Sequence, residues 1–185
     1  MELFRETGAY LKGHFRLTSG LHSSEYLQCA RVLQQPEYAA KLGKQLAGEL
    51  TGHGRVDLVA SPAIGGLIIG HEVARALGVR FIFTERDADG KMTLRRGFTV
   101  DPGERAFVIE DVVTTGGSSR EVIDVLKALG AEVLAAGSII DRSGGLANIG
   151  VPRVALATLE VISYSPENCP LCLEGSPVTK PGSRK

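Results

Sequence analysis

An excess of charge of either sign is missing: 21 Lys and Arg residues face 21 Asp and Glu residues. A neutral chain has no bulk attraction for nucleic acid or an acidic membrane, which leaves only local basic patches for such partners. Cysteine is scarce. Three residues, an odd number, do not make a disulfide framework, and a reducing cytoplasm is expected. No apolar run is long enough to span a bilayer; the longest, Leu58–Gly70, contains Pro62 and several glycines. The first residues, Met1-Glu2-Leu3-Phe4-Arg5-Glu6, carry acids early, so no secretory signal is expected. Internal repeats are also missing. With 43% hydrophobic and 23% charged residues, the 185-residue chain fits one globular domain with a sizeable core.

What is present is a βα rhythm. Glu2–Lys12 has helical spacing, and His14–Val32 reads as a hairpin around Ser19-Gly20. Pro36 opens a helix to about Leu50, with Tyr38, Leu42, Leu46 and Leu50 inward. Then follow strand Asp57–Ala60, helix Gly65–Leu77, strand Val79–Thr84, a polar segment Glu85–Gly97 and a short apolar piece, Phe98–Val100. Strand Arg105–Ile109, helix Arg120–Leu129, strand Val133–Ile140 and a last strand or pair in Val154–Ile162 complete the pattern. The tail from Ser165 to Lys185 has four prolines and no periodicity. Alternation of this kind predicts an α/β domain, a Rossmann-like, mainly parallel sheet flanked by helices. Its parts would be an N-terminal piece (1–35), a core (36–164) and an irregular tail (165–185).

The most informative stretch is Ala106–Ser119, AFVIEDVVTTGGSS. A buried-type strand ends in Glu110 and Asp111. Thr114-Thr115-Gly116-Gly117-Ser118 then lead into a helix. Glycines allow close backbone approach to an anion, helix N-terminal N–H groups favour negative charge, and hydroxyls donate further bonds. The acids would repel a phosphate but accept bonds from sugar hydroxyls. A phosphate beside a diol describes a ribose 5-phosphate. If the strand continues past the acids, they point to opposite faces, and only Asp111 keeps the sugar role.

Other strand ends carry related chemistry, and ligands in such sheets sit beyond these ends. Ser61-Pro62-Ala63-Ile64-Gly65-Gly66 is either a tight crossover or a second anion turn; beside the first motif, a diphosphate is the expected occupant. Glu85–Gly97 carries Arg86, Lys91, Arg95 and Arg96, and reads as a lid able to cover a diphosphate, or else as an exposed hairpin. Asp141-Arg142 offers either a loop salt bridge or a guanidinium fork for an acidic substrate. Phe15 and Tyr26 are core candidates, and Tyr26 could instead stack on a base. Cys169-Pro170-Leu171-Cys172 is a single CxxC, and a zinc site needs two more ligands. Cys29 and the four histidines offer no obvious second half, except across a subunit interface; the pair reads as structural or incidental, with a metal site and then a redox pair as the alternatives, and no protein metal ligand is assigned.

Val108–Ser118 resembles the phosphoribosyl-diphosphate (PRPP) motif of type I phosphoribosyltransferases. Phe15-Arg16-Leu17-Thr18-Ser19-Gly20-Leu21-His22-Ser23, then Ser61–Gly66, Val108–Ser118 and Ile140-Asp141-Arg142 occur in the order seen in the orotate phosphoribosyltransferase family. The CPxC tail with Lys180-Pro181-Gly182-Ser183-Arg184 resembles a bacterial subgroup of it. The resemblance implies transfer of phosphoribosyl from PRPP to orotate in pyrimidine biosynthesis, with Mg²⁺ held mainly by PRPP and water, in a homodimer whose lid is shared. It implies PRPP contacts from Glu110, Asp111, Val112, Val113, Thr114, Thr115, Gly116, Gly117, Ser118, Ser61, Ala63, Ile64, Gly65, Arg86 and Lys91. Lys91, Arg86 and Asp111 would be catalytic. Thr114, Arg142, Ser19 and Tyr26 would hold orotate, with residues 19–26 in a small N-terminal hood. The sequence departs from the family at Thr18, Ile64 and Gly65, and Arg86 is followed by Asp87, leaving Lys91 as the candidate lysine. The alternatives are transfer to another nucleobase and a non-catalytic PRPP-sensing regulator.

Overall fold

A computed structural model describes residues 2–17, 19–159 and 162–181. Thr18 of the hood motif, Glu160 and Val161 of the last predicted strand region, and Gly182-Ser183-Arg184 of the tail motif lie outside the described residues. The chain runs α1 (Glu2–Glu6), β1 (Tyr10–Arg16), β2 (His22–Leu27), α2 (Cys29–Leu33), α3 (Pro36–Leu50), β3 (Leu58–Pro62), α4 (Gly66–Leu77), β4 (Arg80–Arg86) and β5 (Met92–Leu94). It continues with β6 (Arg105–Val113), α5 (Gly117–Ala128), β7 (Glu132–Asp141), β8 (Arg153–Thr158), β9 (Ser163–Tyr164) and α6 (Pro170–Leu173).

These elements form two compact units. The first comprises the chain up to Val32 and the segment after Leu159. Its sheet has the order β1-β2-β9, antiparallel throughout. Thr179 bridges Phe15, so the tail pairs with the N-terminal hairpin, and α6 gives it a helical turn. Pairings across such sequence distances leave no local pattern, which is why the tail reads as a separate irregular piece from sequence. The predicted helix Glu2–Lys12 stops at Glu6. Thr7 Oγ1 donates to the Leu3 carbonyl at 2.7 Å, and Gly8 at φ 62° ends the turn. Tyr10 and Leu11 then pair with Leu27 and Tyr26. Strand pairing overrides their helical spacing.

The second unit, Leu33–Leu159, holds a six-stranded sheet of order β5-β4-β3-β6-β7-β8. All pairings are parallel except β4 with β5. Alternation along β6 builds both faces. Ala106 and Val108 pack into a buried cluster with Val122, Ile123 and Leu126 of α5. Phe107 and Ile109 face the other way, where α3 and α4 cover the sheet; Leu46 and Leu50 of α3 crowd Gly137 together with Ile109. Phe98 and Val100 pack against the α5-side cluster without forming a strand. Among the described residues, no helix is long and apolar enough to cross a membrane.

Candidate active site

The parallel strands set the position of a site before any side chain is considered. From β3 the chain moves outward to β4 on one side; from β6 it moves through β7 to β8 on the other. The direction of winding reverses between β3 and β6. Ligands in open α/β sheets bind at such a switch point, beyond the carboxyl ends of the strands. The two strands flanking it are those that run into Ser61–Gly66 and Thr114–Ser118.

After β6, Thr114 and Thr115 are exposed and Gly116 is buried. Gly116 has φ 75°, and a Cβ there would collide with the Ile149 methyl Cγ2. Only glycine satisfies both conditions. Helix α5 begins at Gly117 with no side-chain cap bond. Its first N–H groups are therefore not served by a capping side chain, and they stand next to the exposed threonine hydroxyls.

After β3, Ile64 is 77% exposed and Gly65 is also exposed, and α4 likewise starts without a side-chain cap bond. A Cβ on Gly65 would lie 2.6 Å from Asp111 Oδ1. The structure thus brings the second glycine turn against Asp111 of β6, a contact between residues 46 apart that no local pattern shows. Ser61 departs from its expected role. It is wholly buried, with its hydroxyl turned toward Gly70 of α4, so its side chain packs the strand–helix crossover and does not line the turn.

β6 continues to Val113, past both acids. Glu110 and Asp111 therefore point to opposite faces. The Ser119 hydroxyl donates to Glu110 Oε2 at 2.5 Å on the α5 side, while Asp111 lies against Gly65 on the α4 side and takes the Val112 N–H at 2.9 Å. The two acids thus face different neighbours: Asp111 the Gly65 turn, and Glu110 the Ser119 hydroxyl in the first turn of α5. Burial raises both carboxyls. For Asp111 it outweighs the backbone bonds. For Glu110 it outweighs the Ser119 bond and, with help from neighbouring Asp111, lifts the group from 4.5 to about 7.

A carboxyl whose folded value is raised binds its proton more tightly in the folded state. That stabilisation is complete below about pH 4.5 and disappears as pH rises through about 7, a span worth about 3 kcal/mol. Thermal midpoints of the protein are expected to fall across this window. Glu110→Gln should flatten most of the slope, leaving the part due to Asp111. An unchanged slope would remove Glu110 as its source.

The segment expected as a lid is an antiparallel hairpin. Glu85 pairs with Thr93 and Arg86 with Met92, and Asp87–Gly90 makes the turn. Arg86 donates to the Gly90 carbonyl at 2.6 Å and pairs with Glu121 of α5 at 2.8 Å. Arg96 forks onto Glu85 at 2.6 and 2.7 Å. Lys91 is exposed beside the turn. Arg86, Lys91, Glu121 and Asp124 line part of a cavity of about 650 Å³ between hairpin and α5. Two of these cations, Arg86 and Arg96, thus have ion-pair partners on α5 and β4. Strand pairing explains the hairpin, because Met92-Thr93-Leu94 completes a sheet edge that the polar composition of the segment hides.

At the end of β7, the Arg142 N–H donates to the Val113 carbonyl at 2.8 Å, which sets Arg142 beside the start of the Thr114–Ser118 turn. Asp141 is almost wholly buried. Arg153 Nη1 donates to it at 2.5 Å, and it also accepts the Ser143 N–H and hydroxyl and the Gly145 N–H. Burial alone would raise the Asp141 carboxyl, but these bonds outweigh it and hold it below its usual value. Its stabilisation is present at neutral pH and lost in acid. Arg153 was invisible in the sequence; Ser143, two residues after Asp141, carries a recognisable turn signal. Arg153→Ala strands a buried carboxylate and should lower unfolding free energy by about 3 kcal/mol at neutral pH, read by urea titration. A loss below about 0.5 kcal/mol would show the pair to be ordinary surface charge.

Ser19 and Tyr26 belong to the first unit. Ser19 lies in the β1–β2 turn. Tyr26 lies on β2 with its ring 5.8 Å from that of Phe15.

Fold and site together define a class. The phosphoribosyl transferase domain family matches residues 30–160, a span that contains both glycine turns and the strands of the switch point. The orotate phosphoribosyltransferase of Desulforamulus reducens is 55% identical over 185 residues, covering all of this chain and 96% of its own. That of Heliobacterium modesticaldum is 56% identical with the same coverage. The crystal structure of orotate phosphoribosyltransferase from Aeropyrum pernix superposes with a TM-score of 0.73 at 30% identity, over 86% of this chain and 93% of that one. The chain belongs to the orotate phosphoribosyltransferase family.

Proposed function

We propose that the chain transfers the 5-phosphoribosyl group of PRPP to orotate, giving orotidine 5′-monophosphate and diphosphate, as a step of pyrimidine biosynthesis in the cytoplasm. The observation that carries this reading is the pair of uncapped glycine turns flanking the switch point, with Asp111 of β6 against the Gly65 turn. The α5 turn, with Thr114 to Ser118, takes the 5′-phosphate. The α4 turn, through the backbone of Ala63, Ile64 and Gly65, takes the diphosphate. Asp111 accepts from a ribose hydroxyl, and Arg142 takes the orotate carboxylate. Orotate N1 loses its proton and bonds to C1 of the ribose as the C1–oxygen bond to diphosphate breaks.

No covalent nucleophile is required of the protein. Its work is to align the two reactants and to favour charge on the departing diphosphate. Lys91 and Arg86 are the candidate cations for that charge. Mg²⁺ fits a site whose donors are all hard oxygens. PRPP and water would hold it, with Asp111 accepting from its water shell, and the ion would offset diphosphate charge when bound. Family membership supports a homodimer, which light scattering tests.

The purified chain should consume orotate only with PRPP and Mg²⁺, with a panel of purine and pyrimidine bases run in parallel. Turnover of another base in place of orotate overturns the substrate; PRPP binding without turnover of any base supports a sensing role. Arg142→Ala should raise KM for orotate at least about tenfold, because a charge-assisted bond is lost, with PRPP affinity nearly unchanged. Equal losses for both substrates would reassign Arg142.

A further inference from the structure

The first unit contains a cluster unrelated to the transfer chemistry. His14 of β1, His22 of β2, and Cys169 and Cys172 at the start of α6 place one ligand atom each within 4.8 Å of all the others. Three of the four residues are buried, and the fourth is partly so. His14 Nε2 is 2.9 Å from His22 Nδ1, 3.5 Å from Cys169 Sγ and 3.6 Å from Cys172 Sγ; Cys172 Sγ is 3.2 Å from His22 Nδ1. A tetrahedral shell with zinc–sulfur bonds of about 2.3 Å and zinc–nitrogen bonds of about 2.0 Å separates its ligands by about 3.3 to 3.8 Å. Four of the six pairs stand near that spacing, at 2.9 to 3.6 Å, and all six lie within 4.8 Å.

Hydrogen bonding does not account for this convergence. A ring nitrogen offers one in-plane lone pair or one proton, yet three polar atoms close on His14 Nε2. The other nitrogen of His14 fixes the tautomer. Nδ1 lies 2.8 Å from the Ser176 carbonyl, which can only accept, so Nδ1 carries the proton and Nε2 directs its lone pair into the cluster. That is the outer-shell arrangement of a metal-binding histidine. Two sulfurs with two imidazoles select zinc over magnesium or calcium.

The local backbone is built around the same point. Between Lys12 and Phe15 the β1–β2 register shifts, so His14 and Phe15, consecutive on a strand, are both buried. Without the irregularity they would face opposite ways. On the cysteine side, the Cys172 N–H donates to the Cys169 carbonyl at 3.1 Å, folding CxxC into a compact turn.

We infer that His14, His22, Cys169 and Cys172 form a structural zinc site that staples the C-terminal segment to the N-terminal hairpin. The metal closes a loop of about 150 residues, and its binding energy adds to folding of the first unit. The signal in the sequence was a CxxC with two histidines eight residues apart in a predicted hairpin; the missing half lay across the hairpin, within the same chain.

Protein purified under reducing conditions from zinc-supplemented cells should contain about one zinc per chain. Cys169→Ser/Cys172→Ser and His22→Ala should each retain less than about a tenth of it. The test does not depend on the variants folding: wild-type protein stripped of metal and titrated with Co²⁺ should show the intense visible bands of a tetrahedral thiolate site, saturating near one equivalent, and its thermal midpoint should rise. Zinc content below about a tenth per chain together with no cobalt bands overturns the inference. So does full zinc retention in the double cysteine variant, or a Cys169–Cys172 disulfide by mass spectrometry of freshly isolated protein.

Discussion

Alanine at Gly65 should lower kcat/KM about a hundredfold while leaving the thermal midpoint within about 2 °C of the parent protein. The backbone at Gly65 has φ −57° and ψ −42°, the conformation of a right-handed helix, so alanine enters without torsional cost. What it meets is Asp111: the new Cβ would stand 2.6 Å from Oδ1 and 3.0 Å from Cγ and Oδ2. A short carboxylate side chain can yield only by turning away from the turn it faces. A displacement near an ångström at a reacting centre is enough for such a loss. The control is the double variant. In an Asp111→Ala background, Gly65→Ala should cost almost nothing more, because the three atoms nearest the new Cβ are gone. Full activity of Gly65→Ala, or additive losses in the double variant, would detach Asp111 from the reaction.

Gly116→Ala should act on stability instead, by about 3 kcal/mol, which for a chain of this size lowers the midpoint by about 6 to 12 °C. Two costs combine. Alanine at φ 75° is strained, and its Cβ would collide with Ile149, which is 2% exposed and part of the α5-side core. Ile149→Ala separates them. Alone it should destabilise by opening a cavity; combined with Gly116→Ala it should cost clearly less than the sum, with a coupling of about 1 kcal/mol. A midpoint for Gly116→Ala within about 2 °C of the parent would mean that the turn relaxes freely, and that its glycine serves the ligand rather than the fold.

Much of the architecture was legible from local chemistry. The apolar run Leu58-Val59-Ala60, the face of Leu42, Leu46 and Leu50 behind Pro36, and Gly78 closing α4 each act through short-range patterning, and the structure has β3, α3 and α4 at these places. Where expectation and structure part, a non-local pairing won. Tyr10 and Leu11 pair with β2 rather than extending α1, and Met92–Leu94 pairs with β4 where composition showed only a polar segment.

The candidate site divides the same way. Residue types and order along the chain determined, from sequence alone, that a hydroxyl/glycine turn follows an acid-bearing strand and opens a helix, and that a second glycine turn lies earlier in the chain. They did so because strand propensity, glycine and helix initiation are properties of a few consecutive residues. Only the tertiary structure decided that Asp111 meets the Gly65 turn and Glu110 the Ser119 hydroxyl, because that depends on how far β6 remains paired with β7. Only it gave Asp141 to Arg153 and His14 and His22 to Cys169 and Cys172, since strand register and a returning tail bring together atoms that no spacing rule relates.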